Sequence, residues 1–125
     1  MNPNTLFSFY LSSKRQEKKM TLRELASKTG ISHTYLYNIE KGFKAPPSDL
    51  VLIKIADALH LSEKEQKNFF DIAAHNLQQK DKGNYYLPAD VSKYLVETKD
   101  VCEVVRAVKN TYHNGEFWTE LLKNL

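Results

Sequence analysis

The sequence predicts an all-α protein, with a five-helix domain followed by a small helical C-terminal segment. Its 125 residues include only four glycines and four prolines, and 42% of them are hydrophobic. Apolar residues recur three and four positions apart, and no stretch alternates apolar and polar residues with β-branched enrichment. This composition and this spacing favour helices over strands.

The first two helices are predicted over residues 5–18 and from Thr21 to Gly30. In the first, the apolar residues at helical spacing are Leu6, Phe9 and Tyr10. Thr21 and Glu24 match the capping-box pattern that begins a helix. The second helix would bury Leu22, Leu25 and Ala26, and Gly30 would end it in the left-handed conformation that glycine adopts without strain.

The third helix lies in the stretch GISHTYLYNIEKG, residues 30–42, with Ser32 as its predicted N-cap. At 100° per residue, one side of this helix carries Tyr35, Leu36 and Ile39. The other side carries hydrogen-bonding groups instead of the usual Glu and Lys mixture: His33, Thr34, Tyr37, Asn38 and Lys41. This helix therefore has one face to bury and one face suited to contact a partner.

Two more helices complete the first domain after a proline-containing loop. The fourth begins at Ser48, with the inward set Leu50, Ile53, Ile55, Ala56 and Leu59. The fifth begins at a second capping box, Ser62 and Glu65, and runs to about residue 76, using Phe69, Phe70, Ile72 and Ala73.

The polar run QQKDKGN divides the chain into a domain over residues 1–77, a linker over 78–84 and a helical segment over 85–125. A segment of about forty residues is small for a core of its own, so its apolar faces need a partner. We predict that it forms a homodimer; packing back on the first domain is the alternative. The predicted dimer residues are Val101, Val104, Val105, Val108, Phe117, Trp118, Leu121 and Leu122.

Positive charge is concentrated in the first half of the chain. Residues 1–60 contain nine Lys and Arg against five Asp and Glu, a balance of +4, whereas residues 61–125 contain nine against ten, a balance of −1. This asymmetry is expected when the first half faces a polyanion. No apolar run reaches the roughly 18 residues of a membrane span and no signal-peptide pattern is present, so we expect a cytoplasmic protein without a membrane partner.

Catalytic and metal-binding patterns are absent from the sequence. The four histidines lack metal-ligand spacing, and there is no phosphate-binding glycine loop. The single cysteine, Cys102, lies in an apolar stretch and is expected to be a buried or half-buried thiol. We therefore expect a non-enzyme that needs no cofactor and no metal.

Two short helices separated by Gly-Ile-Ser are typical of a helix-turn-helix. The DNA major groove, about 12 Å wide, admits one α-helix, and Thr and Asn side chains can hydrogen-bond to base edges. The stretch MTLRELASKTGISHTYLYNIEKGFKAPP is similar to the phage lambda-repressor/Cro-type family, often called the Xre family. The matching residues are Leu25, Ala26, Gly30, Ile31, Ser32, Tyr35, Leu36, Ile39, Glu40, Gly42 and the loop from Lys44 to Pro46.

The resemblance covers about residues 5–76 and implies roles for individual residues. Ser32, His33, Thr34 and Asn38 sit where such proteins contact bases. Tyr37 would lie near the backbone, but because it points outward we group it with the base-contacting residues. The residues assigned to phosphates are Lys19, Thr21, Arg23, Tyr35, Lys41 and Lys44. Relatives often carry Gln after the residue matching Thr21, where this sequence has Leu22.

The resemblance also implies a structural ion pair between Arg15 and Glu40. The wider basic cluster at residues 14–19 can be read either as a solvated face or as a phosphate contact.

We predict a sequence-specific bacterial or phage transcriptional regulator that binds a palindromic operator as a dimer, acting as a repressor. The alternative is the antitoxin of a toxin–antitoxin pair, with residues 85–125 holding the toxin. A third reading, an interaction module that does not bind DNA, is disfavoured by the polar face with cations on its flanks.

Overall fold

The computed structural model describes residues 3–125, with side chains from Leu6 onward, and these residues form eight helices and no strand. The helices are α1 (Pro3–Glu17), α2 (Leu22–Thr29), α3 (His33–Glu40), α4 (Asp49–Ala58), α5 (Glu63–Lys80), α6 (Ala89–Glu97), α7 (Val101–Thr111) and α8 (Glu116–Lys123). The predicted all-α class is confirmed. None of the helices in this part of the chain is both long and apolar enough to span a bilayer.

The chain divides into two compact units, and the division falls within α6 after Ser92. We call the part up to Ser92 the N-terminal unit and Lys93–Leu125 the C-terminal unit. The N-terminal unit thus extends beyond the predicted domain end at residue 77. The reason is local: α5 continues to Lys80, and Ala89 is buried in the core. The division into a domain over residues 1–77 and a separate segment over residues 85–125 stays a prediction.

Hydrogen bonds order the segment that the sequence predicts to be a linker. The Asp81 carboxylate accepts bonds from the Gly83 backbone N–H, the Asn84 amide and the Tyr86 hydroxyl. These bonds lower the pKa of Asp81, and the bond from Asn84 has the largest effect. Gln78 closes the loop, since its side chain donates to the Asn84 carbonyl and accepts from the Tyr86 backbone N–H.

The core of the N-terminal unit is built where α1 and α5 pack together and α3 and α4 cover them. Phe7 packs against Phe69, with ring centroids 5.2 Å apart and ring planes tilted by 38°, and the Phe7 backbone N–H donates to Asn76 Oδ1 at 3.0 Å. The fully or nearly fully buried apolar side chains include Phe7, Leu11, Leu25, Leu36, Ile39, Leu52, Ile55, Ala56, Leu59, Phe69, Phe70 and Ala73. This set holds the predicted inward residues of α5, except that Ile72 is only partly buried.

The predicted inward faces of α1 and α4 are wrong in part. In α1, Phe7 and Leu11 are buried, whereas Phe9 is 69% exposed and Leu6 is also exposed. In α4, Leu52 is buried, whereas Leu50 is 70% exposed. Both helices are apolar on more than one side, so the periodicity admits two stripes. The contact with α5, through Phe7 and Phe69, decides which stripe of α1 is covered.

The predicted helix boundaries hold where a cap specifies them. Ser62 and Glu65 form the complete capping box at the start of α5. Thr21 Oγ1 accepts from the Glu24 backbone N–H at 3.0 Å, and Gly30 ends α2 with a φ of 73°. In the left-handed region a side chain would be strained, so glycine suits this position.

The C-terminal unit consists of the end of α6 followed by α7 and α8. Within it Tyr112 stacks on Phe117 at 4.7 Å, and Phe117 meets Trp118 edge to face at 5.2 Å. No residue of this unit is fully buried. The expectation of a buried or half-buried Cys102 is wrong, because its thiol is exposed at the surface of α7.

Candidate nucleic-acid interface

The candidate interface is centred on α3, whose inner face anchors it in the core. Leu36 and Ile39 are completely buried. Ser32 caps the first turn, since its Oγ accepts from the Tyr35 backbone N–H at 3.0 Å. Tyr35, predicted at the edge of the apolar stripe, is 38% exposed and therefore lies at the boundary between core and solvent.

A second anchor holds the last turn of α3 and was not predicted from the sequence. The Ser8 hydroxyl donates to the Ile39 carbonyl at 2.6 Å, and Ser8 is itself buried. The same carbonyl also accepts from the Gly42 backbone N–H at 3.1 Å, so Ser8 supplies a second donor to a carbonyl at the end of α3. The signal available in the sequence was that Ser8 and Arg15 lie seven residues apart, on one face of α1.

Arg15 forms a bidentate salt bridge with Glu40, the last residue of α3. Arg15 Nε donates to Glu40 Oε2 at 2.6 Å, and Arg15 Nη2 donates to Glu40 Oε1 at 2.9 Å. The hydrogen bond to the carboxylate raises the pKa of Arg15. Both side chains are largely shielded from solvent, and such bidentate pairs fix geometry as well as charge.

The same guanidinium connects α3 to the turn before α2. Arg15 Nη1 donates to the Met20 carbonyl at 2.9 Å. The turn that carries Lys19 and Thr21 is therefore held beside the C-terminal end of α3. Two groups of predicted phosphate contacts, one on this turn and one after α3, are brought to the same side of the unit.

The outer face of α3 is open to solvent along its length. Ser32, His33, Thr34 and Tyr37 are exposed, and Asn38 is half-buried. The Lys41 ammonium lies 5.6 Å from the centre of the Tyr37 ring, so a cation sits over this outward-facing aromatic side chain. These are the polar groups that the sequence predicts to face a partner.

The loop after α3 is fixed to the helix by its backbone. The Asn38 carbonyl accepts from the backbone N–H groups of Phe43 and Lys44, at 2.9 and 3.3 Å. Gly42 supports this turn with a φ of 78°. The Lys44 side chain is therefore presented from a defined position next to the outer face of α3.

The lysines of α1 and the cations predicted to contact phosphates differ in their pairing. Lys14 and Lys18 bind Glu65 at 3.2 and 3.0 Å, so these two cations join α1 to α5. Within residues 6–125, by contrast, no ion pair involves the lysines and the arginine predicted to contact phosphates: Lys19, Arg23, Lys41 and Lys44. These four unpaired cations lie beside α3 and at the start of α2.

Nothing in the described part of the chain resembles a metal site, since no cluster of three or more His, Cys, Asp or Glu residues occurs there. The site consists of a helix presented by its neighbours, with hydrogen-bonding side chains and nearby cations. Hydrogen-bonding side chains flanked by cations are the groups that recognition of an anionic polymer requires.

Residues 11–66 match the model of the helix-turn-helix family. The match covers α2, the Gly30–Ser32 turn, α3 and α4, together with the second half of α1 and the start of α5. The chain thus contains a helix-turn-helix domain. Over these residues the chain is similar to Xre-like helix-turn-helix proteins of the lambda-repressor/Cro type.

Two curated relatives match part of the chain. Both are named as uncharacterized HTH-type transcriptional regulators, from the CDC 1551 / Oshkosh and ATCC 25618 / H37Rv strains of Mycobacterium tuberculosis. Each is 38% identical over 53 residues, which make up 42% of this chain and 37% of the relative. The chain thus matches little more than a third of each relative's length. No solved structure matches the chain.

Proposed function

We propose that this protein is a transcriptional regulator that binds double-stranded DNA by placing α3 in the major groove. The observation that carries the proposal is the contrast between the two faces of α3. Leu36 and Ile39 are fully buried, whereas the opposite face is polar, exposed and accompanied by unpaired cations. The names of the relatives as transcriptional regulators support the same function.

The proposed division of labour follows the position of each side chain. Ser32, His33, Thr34, Tyr37 and Asn38 would read base edges, because they lie on the exposed face or at its border. The unpaired cations and the hydroxyls of Thr21 and Tyr35 would bind phosphates and set the register of the helix. Leu22, where relatives often have Gln, adds no polar group, so the first turn of α2 would rely on its backbone N–H groups and Arg23.

We further propose that the protein binds a palindromic operator as a homodimer and acts as a repressor. Half-sites one helical turn apart need two recognition helices related by a two-fold axis. The C-terminal unit offers the self-association surface, since apolar residues outside its grooved side are left open: Leu122 is 72% exposed, and Val104 and Leu121 are also exposed.

An antitoxin function is the second candidate, and the same exposed face favours it. In that case residues of the C-terminal unit would bind a toxin rather than a second copy. Sedimentation of the purified chain separates the two readings, because only the dimer doubles the mass without another protein.

The DNA-binding proposal is tested by selecting bound sites from random duplex DNA with the full chain. We expect a sequence with two-fold symmetry. Asn38→Ala should cost about 1–3 kcal/mol at the base pair it contacts and relax preference there. Asn68→Ala, at an exposed position on α5, is the matched control and should leave the selected site unchanged. An unchanged site for Asn38→Ala would remove the base-reading role.

The phosphate role is tested by the salt dependence of binding. Lys44→Ala should weaken binding evenly across sequences and reduce the slope of log K against log salt by about 1. Lys64→Ala, an exposed lysine in the first turn of α5, should leave the slope unchanged. Equal slopes for the two variants would place Lys44 away from the DNA.

The dimer proposal is tested by sedimentation equilibrium of the full chain. We expect twice the chain mass for the native protein and a single chain mass for Leu122→Asp. Leu50→Asp is the matched control, because Leu50 is as exposed as Leu122 but lies on α4, and it should remain dimeric. A native protein that sediments as a monomer would reject the dimer.

A further inference from the structure

A groove in the C-terminal unit lies between the end of α6, α7 and the start of α8. Its volume is about 540 Å³, within the range of small-molecule sites. Leu95, Val105 and Trp118 supply apolar surface, and Arg106, Lys109 and His113 supply hydrogen-bond donors. All of these residues belong to the C-terminal unit, so the groove is complete within it.

The charge of the groove has one sign. Its lining includes an arginine and a lysine but no aspartate or glutamate. Arg106 pairs with Glu103, whereas Lys109 takes part in no ion pair among residues 6–125. A neighbouring depression of about 610 Å³ shows the opposite pattern, since it is lined by Glu116 and Glu120 and by no lysine or arginine.

The apolar wall of the groove is held in place by aromatic contacts. Phe117 lies between Tyr112 and Trp118, stacked on the first ring and edge to face with the second. Trp118 nevertheless remains 42% exposed. A ligand that covered this ring would bury apolar area without first having to order the side chain.

We propose that this groove binds a small amphipathic anion, a carboxylate attached to an apolar chain or ring. The carboxylate would bind Lys109, with Arg106 as a second donor, and the apolar body would lie on Val105 and Trp118. A second copy of the chain fits the groove less well, because a two-fold contact centred there would bring the same cations face to face. The proposal is independent of DNA binding.

Trp118 provides the readout, because it is the chain's single tryptophan. The full chain is titrated with decanoate below its micellar concentration, and tryptophan emission is followed. Decanol and decylamine, which have the same apolar body, serve as neutral and cationic comparisons. We expect a saturable change with decanoate, and binding at least about tenfold weaker for the other two compounds.

Two variants locate the anion. Lys109→Gln should weaken decanoate binding at least about tenfold. Lys93→Gln is the matched control, since Lys93 pairs with Glu97 and does not line the groove, and it should bind decanoate as the native chain does. The far-ultraviolet circular dichroism of both variants should equal that of the native chain.

Three results would overturn the proposal. Decanoate could leave the emission of Trp118 unchanged, decanol could bind as tightly as decanoate, or Lys109→Gln could bind decanoate normally. A Trp118 emission that shifts with protein concentration and not with decanoate would show that a second copy fills the groove. DNA binding by the same preparation is measured in parallel, so failure of the groove proposal is distinguished from failure of the proposed function.

Discussion

Helices α4 and α7 are similar in length, ten and eleven residues, and both carry apolar stripes, yet only the stripe of α4 is buried. In α4, Leu52, Ile55 and Ala56 are buried by other helices of the N-terminal unit. In α7 no residue is buried, and the valines that form its stripe remain at least partly exposed. Helical periodicity thus identifies an apolar face but does not identify what covers it.

For the same reason, we expect the C-terminal unit to be less stable than the N-terminal unit. Short helices gain most of their stability from tertiary packing, and a unit of 33 residues without a buried side chain, a disulfide or a metal gains little. The N-terminal unit concentrates its core around α1 and α5. The C-terminal unit leaves its apolar area available for association.

The largest expected effect comes from the two phenylalanines of α1, which separate buried from exposed apolar surface. Phe7→Ala should lower the free energy of unfolding by about 3–5 kcal/mol, because it leaves a cavity against Phe69. Phe9→Ala should change it by less than about 0.5 kcal/mol, because Phe9 faces solvent. Urea denaturation followed by circular dichroism measures both free energies of unfolding. Equal decreases for the two variants would show that Phe9 is buried, as the sequence predicted.

Ion pairs provide the second comparison between the units. Arg15→Ala should destabilise the protein by about 3 kcal/mol, since Glu40 would keep a largely buried charge without its partner. Arg106→Ala removes an exposed pair with Glu103 and should cost less than about 0.5 kcal/mol. Thermal unfolding of the two variants gives the difference, and a loss from Arg15→Ala no larger than that from Arg106→Ala would show that the pair with Glu40 contributes little.

The smallest effect concerns Glu65, which joins α1 to α5. Bonds from the Ser62 backbone N–H and from Lys18 and Lys14 lower the pKa of Glu65 from 4.5 to about 2. Because the folded pKa lies below the unfolded value, the stabilisation is complete above pH 4.5 and is lost as the pH falls toward 2. Solvent screening limits it to about 1 kcal/mol.

The pH dependence is measured by urea denaturation of native protein and Glu65→Gln at pH 7 and pH 3. The difference between them should shrink at the lower pH. Glu63→Gln, in the same first turn but bound to no lysine, serves as the control. A difference for Glu65→Gln that grows as the pH falls would contradict the assigned direction of the pKa shift.

Local signals in the sequence predicted the class of the fold and most helix starts. Ser32, Ser62 and Gly30 specify their turns through bonds to residues three or four positions away, or through backbone conformation, so no knowledge of the fold is needed. The apolar positions of α1 and α4 lacked such a signal. Their burial depends on which neighbouring helix packs against them, and this is why Phe7 and Leu52 were missed.

The outer face of α3 was visible in the sequence because its residue types differ from those of an ordinary solvated helix. The contacts that hold the end of α3 in place were only partly predictable from the sequence. The pairing of Arg15 with Glu40 was implied by family resemblance, whereas the bond from Ser8 to the Ile39 carbonyl joins residues 31 positions apart, and its sequence signal is limited to the face of α1 that Ser8 shares with Arg15. The exposure of Cys102 was mispredicted because an apolar neighbourhood in sequence did not become a core.

The contact of Phe7 with Asn76, together with those of Tyr10 and Lys18 with Glu65, makes α1 and α5 antiparallel neighbours. The first turns of the helix-turn-helix domain therefore lie beside its last turns. The unit could accept a circular permutation, with a connector that leads from residue 92, after the buried Ala89, back to residue 3 and with new termini in the loop at residues 43–48.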